Sequence, residues 1–112
     1  EALKDRDRTP KRERAFNVPT SISFDNDGSD IYTMIEVDTR DRPGLLYDLT
    51  RTLAEANVYI ASAVVATYVE QAVDTFYVKD MFGLKFHSDA KRTSLERRLR
   101  DAIAEGAERA RA

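Results

Sequence analysis

The spacing of hydrophobic residues changes along this chain between the period of a strand and the period of a helix, and this change restricts the fold more than any other feature. Between residues 17 and 38, apolar side chains alternate with polar ones, as they do in half-buried strands. Residues 25–30 interrupt the alternation with Asp, Asn, Gly and Ser, which favour turns. The sequence therefore predicts a hairpin whose inward side chains are Ile22, Phe24, Thr33, Ile35 and Val37.

A helical pattern begins where residues 42–44, Arg-Pro-Gly, end the second strand. Proline is accepted in the first turn of a helix because its missing N–H has no partner there in any case. The apolar residues that follow recur at helical spacing, and Asn57 can adopt the left-handed conformation that stops a helix. The prediction is one amphipathic helix to about Ala56 with the stripe Leu45, Leu46, Leu49, Leu53 and Ala56.

The second half of the chain repeats the order of strands and helix. Residues 58–69 and 73–79 are rich in β-branched and small side chains without clean polar alternation, which predicts a second, more central hairpin. Either Ser88 or Asp89 can cap a last helix. The apolar stripe of that helix is Leu95, Leu99, Ala102 and Ile103.

The resulting order, β-β-α-β-β-α, predicts a ferredoxin-like α+β sandwich with a four-stranded antiparallel sheet and two helices on one face. In the usual βαββαβ order a last strand pairs beside the first strand, and here the strand before Asp25 can take that place. We expect a charged linker over residues 1–16, the domain over residues 17–106 and a short tail over residues 107–112. A basic arm is the alternative for the charged segment.

The composition excludes several kinds of site. A chain of 112 residues fits one domain, and 18 Lys and Arg against 20 Asp and Glu provide no overall positive field for nucleic acid or an anionic membrane. There is no cysteine and a single histidine, His87, so no thiolate or typical zinc site is expected. The absence of cysteine is compatible with the cytoplasm. Because the chain opens at Glu1 rather than Met, we expect it to be a piece of a longer protein.

Two patterns that can carry function are incomplete. Gly28, Ser29 and Asp38 superficially resemble a nucleotidyltransferase signature, but Arg40 stands where the second metal-binding carboxylate would be needed. Phe76 and Tyr77 are adjacent, so they point to opposite faces of a strand and do not form an RNA-stacking platform. Three apolar residues of the loop before the last helix favour a minor core or a dimer contact over a ligand patch: Met81, Phe82 and Phe86.

The start of the first helix is the strongest candidate for a binding site. Free backbone N–H groups at a helix N-terminus attract a carboxylate, and Asp41 beside them can face an ammonium group. Gly44 lets a ligand approach the backbone closely. A free amino acid suits this arrangement. The alternative is a simple strand-to-helix connection in which Asp41 caps the helix.

The residues at this helix start also carry a resemblance. The run D-R-P-G-L-L, followed by A-N-V-Y-I-A at the next strand, resembles the ACT domain, a small amino-acid-sensing module of metabolic enzymes. Residues 73–86, V-D-T-F-Y-V-K-D-M-F-G-L-K-F, and the arginine-rich helix after them resemble the carboxy-terminal ACT domain of the bifunctional PII uridylyltransferase and uridylyl-removing enzyme family. Residues 19–24 match the P-T-x-I-x-F hairpin of that family.

This resemblance implies a non-catalytic regulatory module that senses glutamine and controls the uridylylation and deuridylylation of the PII protein. Mg²⁺ and UTP would act in catalytic domains that this chain does not contain. The module would pair with a second copy or with a preceding ACT domain. The ligand-binding residues that the resemblance implies are Thr39, Asp41, Arg42, Pro43, Gly44, Leu45 and Leu46, with Tyr59 added from the next strand across a dimer interface, where amino-acid-binding relatives often carry Asn.

Two other functions stay open at this point. The chain can be an ACT module that binds no ligand and only dimerises or transmits a signal. It can also be an ACT module of another parent, such as an alarmone synthetase or a biosynthetic enzyme, that responds to another amino acid.

Overall fold

A computed structural model describes residues 19–111, and of Arg111 only the backbone. The described part contains four strands and two helices in the predicted order. The strands are β1 (Ser21–Asp25), β2 (Thr33–Arg40), β3 (Tyr59–Tyr68) and β4 (Gln71–Lys79), and the helices are α1 (Leu45–Glu55), between β2 and β3, and α2 (Asp89–Arg111), after β4. The predicted linker over residues 1–16 lies outside the described residues.

The four strands form one antiparallel sheet in the order β1-β2-β4-β3. One row of partners crosses the whole sheet, from Phe24 through Ile35 and Phe76 to Ala63. β1 therefore takes the place beside β2 that the last strand of a βαββαβ chain would take. The predicted ferredoxin-like sandwich is confirmed.

The hydrophobic core lies between one face of the sheet and the two helices. α1 buries Leu45, Leu49 and Leu53 of its predicted stripe, but Leu46 is 41% exposed because it lies about 100° around the helix from Leu45. α2 buries Leu95, Leu99 and Ile103. Ile35 and Phe76 meet them from the two central strands and are fully buried. No helix among residues 19–111 is long and apolar enough to cross a membrane.

The predicted end of α1 and the predicted start of α2 agree with the structure. Asn57 follows α1 with a φ of 62°, which is the left-handed conformation expected of a helix stop. Ser88 caps α2, because its hydroxyl accepts the N–H of Lys91 at 3.3 Å. α2 itself continues to Arg111, past the boundary at residue 106 that the sequence analysis gives for the domain.

The prediction of a central second hairpin is wrong for β3. β4 is central, but β3 is an edge strand, and much of its apolar surface is exposed, with Val64 at 57% and Val65 at 51%. A strand without polar alternation is expected to be buried on both faces. In β3 the apolar side chains lie instead on an edge strand that the helices do not cover.

The loop between β4 and α2 is tied to the turn between β1 and β2. The ammonium of Lys85 donates to the carbonyl oxygen of Asn26 at 2.7 Å and also to that of Ser29. The side-chain amide of Asn26 donates to the carbonyl oxygen of Phe86 at 2.9 Å and accepts the Thr33 hydroxyl. These bonds hold Phe86 in the core, whereas Met81 and Phe82 at the tip of the loop stay exposed.

We predict that Asn26→Ala lowers the free energy of unfolding by about 2 kcal/mol, because it removes two hydrogen bonds and leaves the buried Thr33 hydroxyl without an acceptor. Urea denaturation followed by circular dichroism measures the change. Ser23→Ala, an exposed substitution on β1, is the control and should stay within about 0.5 kcal/mol of the original chain. Equal effects of the two substitutions would contradict this account of the loop.

Candidate functional site

The turn between β2 and α1 leaves the start of α1 without a side-chain cap. Gly44 occupies the N-cap position with a φ of 82°, and no side chain of the residues that the structure describes bonds the first N–H groups. The alternative in which Asp41 caps the helix is therefore wrong. The N–H of Leu45 bonds the carbonyl of Arg42, and the N–H of Asp48 bonds that of Gly44. The N–H groups of Leu46 and Tyr47, which lie between them, have no acceptor among the described residues.

A cavity of about 240 Å³ lies directly beside these free N–H groups. The turn and the helix start form one wall, and strands β3 and β4 form the other. β3 can line this cavity because the two helices leave the second half of its helix-facing side uncovered. Val65 lies there and is 51% exposed. The residues around the cavity are Asp41, Arg42, Gly44, Leu45, Leu46, Tyr47, Val65, Thr67, Ala72 and Asp74.

Asp41 is held at the mouth of the cavity by its backbone. Its N–H donates to the carbonyl oxygen of Glu70 in the turn between β3 and β4, at 2.8 Å. The side chain is exposed. The carboxylate can therefore meet a cationic group that enters beside the helix start.

Arg42 connects the turn to both helices. Its Nη2 lies 2.9 Å from Oδ2 of Asp48 in α1, without hydrogen-bond alignment, and 8% of its side chain is exposed. Arg109 of α2 donates to the same carboxylate oxygen at 3.0 Å. The guanidinium fits here because α2 has no side chain at Gly106: a Cβ there would overlap Nη2 of Arg42 and lie 2.6 Å from Oδ2 of Asp48.

Asp74 is a cavity residue that could not be singled out as a site candidate from the motifs of the sequence. It lies on β4 with 2% of its surface exposed, lines the cavity, and has an Oδ1 with no hydrogen-bond partner in the part of the chain that the structure describes. Burial and, to a lesser extent, the charge of Asp41 raise the pKa of Asp74 above its ordinary value of 3.8. Period two was the available signal, because Asp74 shares its face with buried Ala72, Phe76 and Val78.

Three of the residues that the resemblance implies lie outside this cavity. The hydroxyl of Thr39 is hydrogen-bonded to that of Thr20, 2.7 Å away, and Pro43 is exposed on the outer side of the turn. Tyr59 lies at the opposite end of β3 and lines a separate cavity with Lys79 and Gly83. Their contribution to ligand binding stays a prediction. Asp41, Arg42, Gly44, Leu45 and Leu46 are brought together as expected.

A larger cavity of about 340 Å³ is chemically less suited to an amino acid. Its floor is apolar, with Val58, Phe86 and Leu95. Its one carboxylate, Asp80, already accepts the N–H groups of Phe82 and Leu84 at 2.9 Å through Oδ1. Within the described residues no group of three or more His, Cys, Asp or Glu could hold a metal ion.

We predict that Gly106→Ala lowers the free energy of unfolding by about 1 kcal/mol. Alanine is the better helix former by about 1 kcal/mol, but overlap with a well-packed group costs about 1–3 kcal/mol. Arg42 cannot move aside without losing its buried contact with Asp48. Urea denaturation of the single variant and of Gly106→Ala in an Arg42→Ala background separates the gain in helix propensity from the cost of overlap with Arg42. In that background the substitution should cost at least about 1 kcal/mol less, and an equal cost in both would contradict the packing of Arg42 on α2.

We predict that Asp74→Asn raises the free energy of unfolding at pH 7 by about 1 kcal/mol, because it removes a buried charge that faces Asp41. The pKa of Asp74 is higher folded than unfolded, so its charge costs stability above the folded pKa. The cost decreases as pH falls through that value and is gone below the unfolded pKa.

The gain from Asp74→Asn should therefore vanish at about pH 3, and urea denaturation at both pH values measures it. Asp30→Asn, an exposed control, should change the free energy of unfolding by less than about 0.5 kcal/mol at either pH. A loss of stability on Asp74→Asn at pH 7 would show that the carboxylate is well paired in the folded chain.

Comparison with known proteins agrees with this architecture. The chain is 76% identical over 110 residues to the bifunctional uridylyltransferase/uridylyl-removing enzyme of Ruegeria pomeroyi, 72% identical over 110 residues to that of Cereibacter sphaeroides, and 50% identical over 94 residues to that of Azospirillum brasilense. These matches cover 98%, 98% and 84% of this chain, but only 12%, 12% and 10% of the relatives. The chain thus spans about a tenth of the length of these relatives.

No solved structure gives a significant match. The family model described as an ACR9-like, ACT-like domain matches residues 21–107, which include all four strands and most of α2. The match begins at the first residue of β1, so the strand that completes the sheet from the amino-terminal side is part of the matched domain. The chain belongs to the ACT-like domain family.

Proposed function

We propose that this domain binds glutamine in the cavity beside α1 and thereby regulates a cytoplasmic bifunctional uridylyltransferase/uridylyl-removing enzyme. The names of the relatives support the parent enzyme, and the uncapped helix start beside Asp41 is the observation that supports an amino acid as ligand. Catalysis, with its Mg²⁺ and UTP, belongs to other domains of that enzyme. The parent would act on the PII protein.

The cavity complements both charges of a free amino acid. The N–H groups of Leu46 and Tyr47, together with the positive end of the α1 dipole, suit the α-carboxylate. Asp41 at the mouth suits the α-ammonium. The volume of about 240 Å³ is below the range of about 300–1,000 Å³ typical of drug-sized ligands, and is suitable for a smaller ligand.

Regulation requires that glutamine bind one arrangement of the parent enzyme better than the other. A difference of about 1–3 kcal/mol is typical of such coupling. We propose that bound glutamine favours removal of uridylyl groups from PII and that its absence favours their transfer. Because Arg42 joins the turn to α1 and α2, a change at the cavity can reach the outer surface of α2.

The exposed edge of β3 supports pairing with a second ACT domain. An unpaired apolar edge strand readily adds another strand, and Val64, Val65 and Tyr68 are more than half exposed there. This edge also supports a second candidate function, a module that dimerises and transmits a signal without binding a ligand. That module would form a tight dimer indifferent to every amino acid.

Titration calorimetry with glutamine, glutamate, serine and isoleucine tests the proposal, with light scattering to give the oligomeric state. We expect heat with glutamine and about tenfold weaker binding after Asp41→Asn, because that substitution removes the charge facing the ammonium. Asp30→Asn, an exposed control away from the cavity, should bind as the original chain does. A folded protein that binds no glutamine, either as this chain or as a full-length enzyme carrying it, would contradict the proposal.

A further inference from the structure

The helix-facing side of β4 carries one carboxylate in an otherwise apolar row. Ala72, Phe76 and Val78 on that face are buried in the core, and Asp74 between them is 2% exposed. A buried carboxylate oxygen without a hydrogen-bond partner is costly. Oδ1 of Asp74 is such an oxygen among the described residues, and the side chain lines the cavity beside α1.

We propose that Asp74 selects glutamine over glutamate by accepting a hydrogen bond from the carboxamide NH₂ group of the bound ligand. This inference rests on the proposed function, because it assigns a role within the same cavity. It gives the unpartnered oxygen a donor that arrives with the ligand. The stability that the buried carboxylate costs the free domain is then recovered in the complex.

The positions of the two carboxylates determine which part of the ligand each one meets. The α-carboxylate and the α-ammonium are attached to the same carbon, so both stay at the mouth, between the N–H groups of α1 and exposed Asp41. The side chain of the ligand is then the part that reaches inward to Asp74. Val65 and Ala72 line the same cavity and can pack against its methylene groups.

Glutamate differs from glutamine only in the group that would meet Asp74. An ionised Asp74 accepts hydrogen bonds but donates none, so it pairs with a carboxamide NH₂ and repels a second carboxylate. A site built to bond a particular group strongly rejects an analogue that lacks it, because the polar group of the site is left unpaired. Glutamate would have to bind together with a proton or leave two carboxylates in contact.

The ratio of the dissociation constants for glutamate and glutamine tests this assignment. We expect the original chain to bind glutamine at least about 50-fold more tightly than glutamate at pH 7.5, and Asp74→Asn to lower this ratio to below about 5. Asn keeps the shape of Asp and adds an NH₂ group that can donate a hydrogen bond to a carboxylate. Asp41→Asn is the matched control: it removes the other carboxylate of the cavity and should weaken both ligands by similar factors with the ratio unchanged.

A second substitution of Asp74 tests the selectivity assignment independently of the Asn variant. Asp74→Ser is smaller and uncharged and should also lower the ratio, and thermal unfolding of both variants checks that they are folded. If both ligands weaken equally after Asp74→Asn, Asp74 meets the ammonium, and the selectivity assignment is wrong while glutamine sensing stands. If the original chain binds no glutamine, the proposed function and this inference both fail.

Discussion

The packing of Arg42 between the two helices is the contact on which the geometry of the candidate site depends. Its guanidinium lies against Asp48 of α1 and against the backbone of α2 at Gly106, where no side chain intervenes. The turn that follows β2 is therefore fixed to both helices by a largely buried group. This contact keeps Gly44 at the helix start and Asp41 at the mouth of the cavity, so the shape of the site follows from the packing of the core.

Several features that cost stability lie around one cavity. Within residues 19–111, the first N–H groups of α1 have no side-chain cap, Asp74 is buried with an unpartnered oxygen, and β3 has apolar surface that no other element covers. Each of them could be relieved by substitution. Stability given up at one place and kept elsewhere is typical of a binding site. A ligand with one carboxylate, one ammonium group and a hydrogen-bond donor on its side chain would satisfy these polar groups together.

Local patterns predicted the fold because the first hairpin and both helices have a clear period. The alternation of Ile22 and Phe24, the stripe through Leu49 and Leu53, and the stop at Asn57 each depend on near neighbours in sequence. The edge position of β3 was missed, since composition alone does not distinguish burial on both faces from an exposed apolar edge. The contact of Arg42 with Gly106 could not be predicted, because the two residues are far apart in the chain and the contact depends on glycine having no Cβ. Asp74 could have been found from its register within β4.

Backbone amide NMR of the 112-residue chain during addition of glutamine tests the central claim most directly, because it reports the place of binding as well as its occurrence. We expect the largest shifts at the amides of Leu46 and Tyr47 and at Asp74, with smaller shifts along α2, which Arg42 joins to the turn. No shifts at saturating glutamine in a folded chain, or the largest shifts around the apolar cavity of Val58, Phe86 and Leu95, would contradict it.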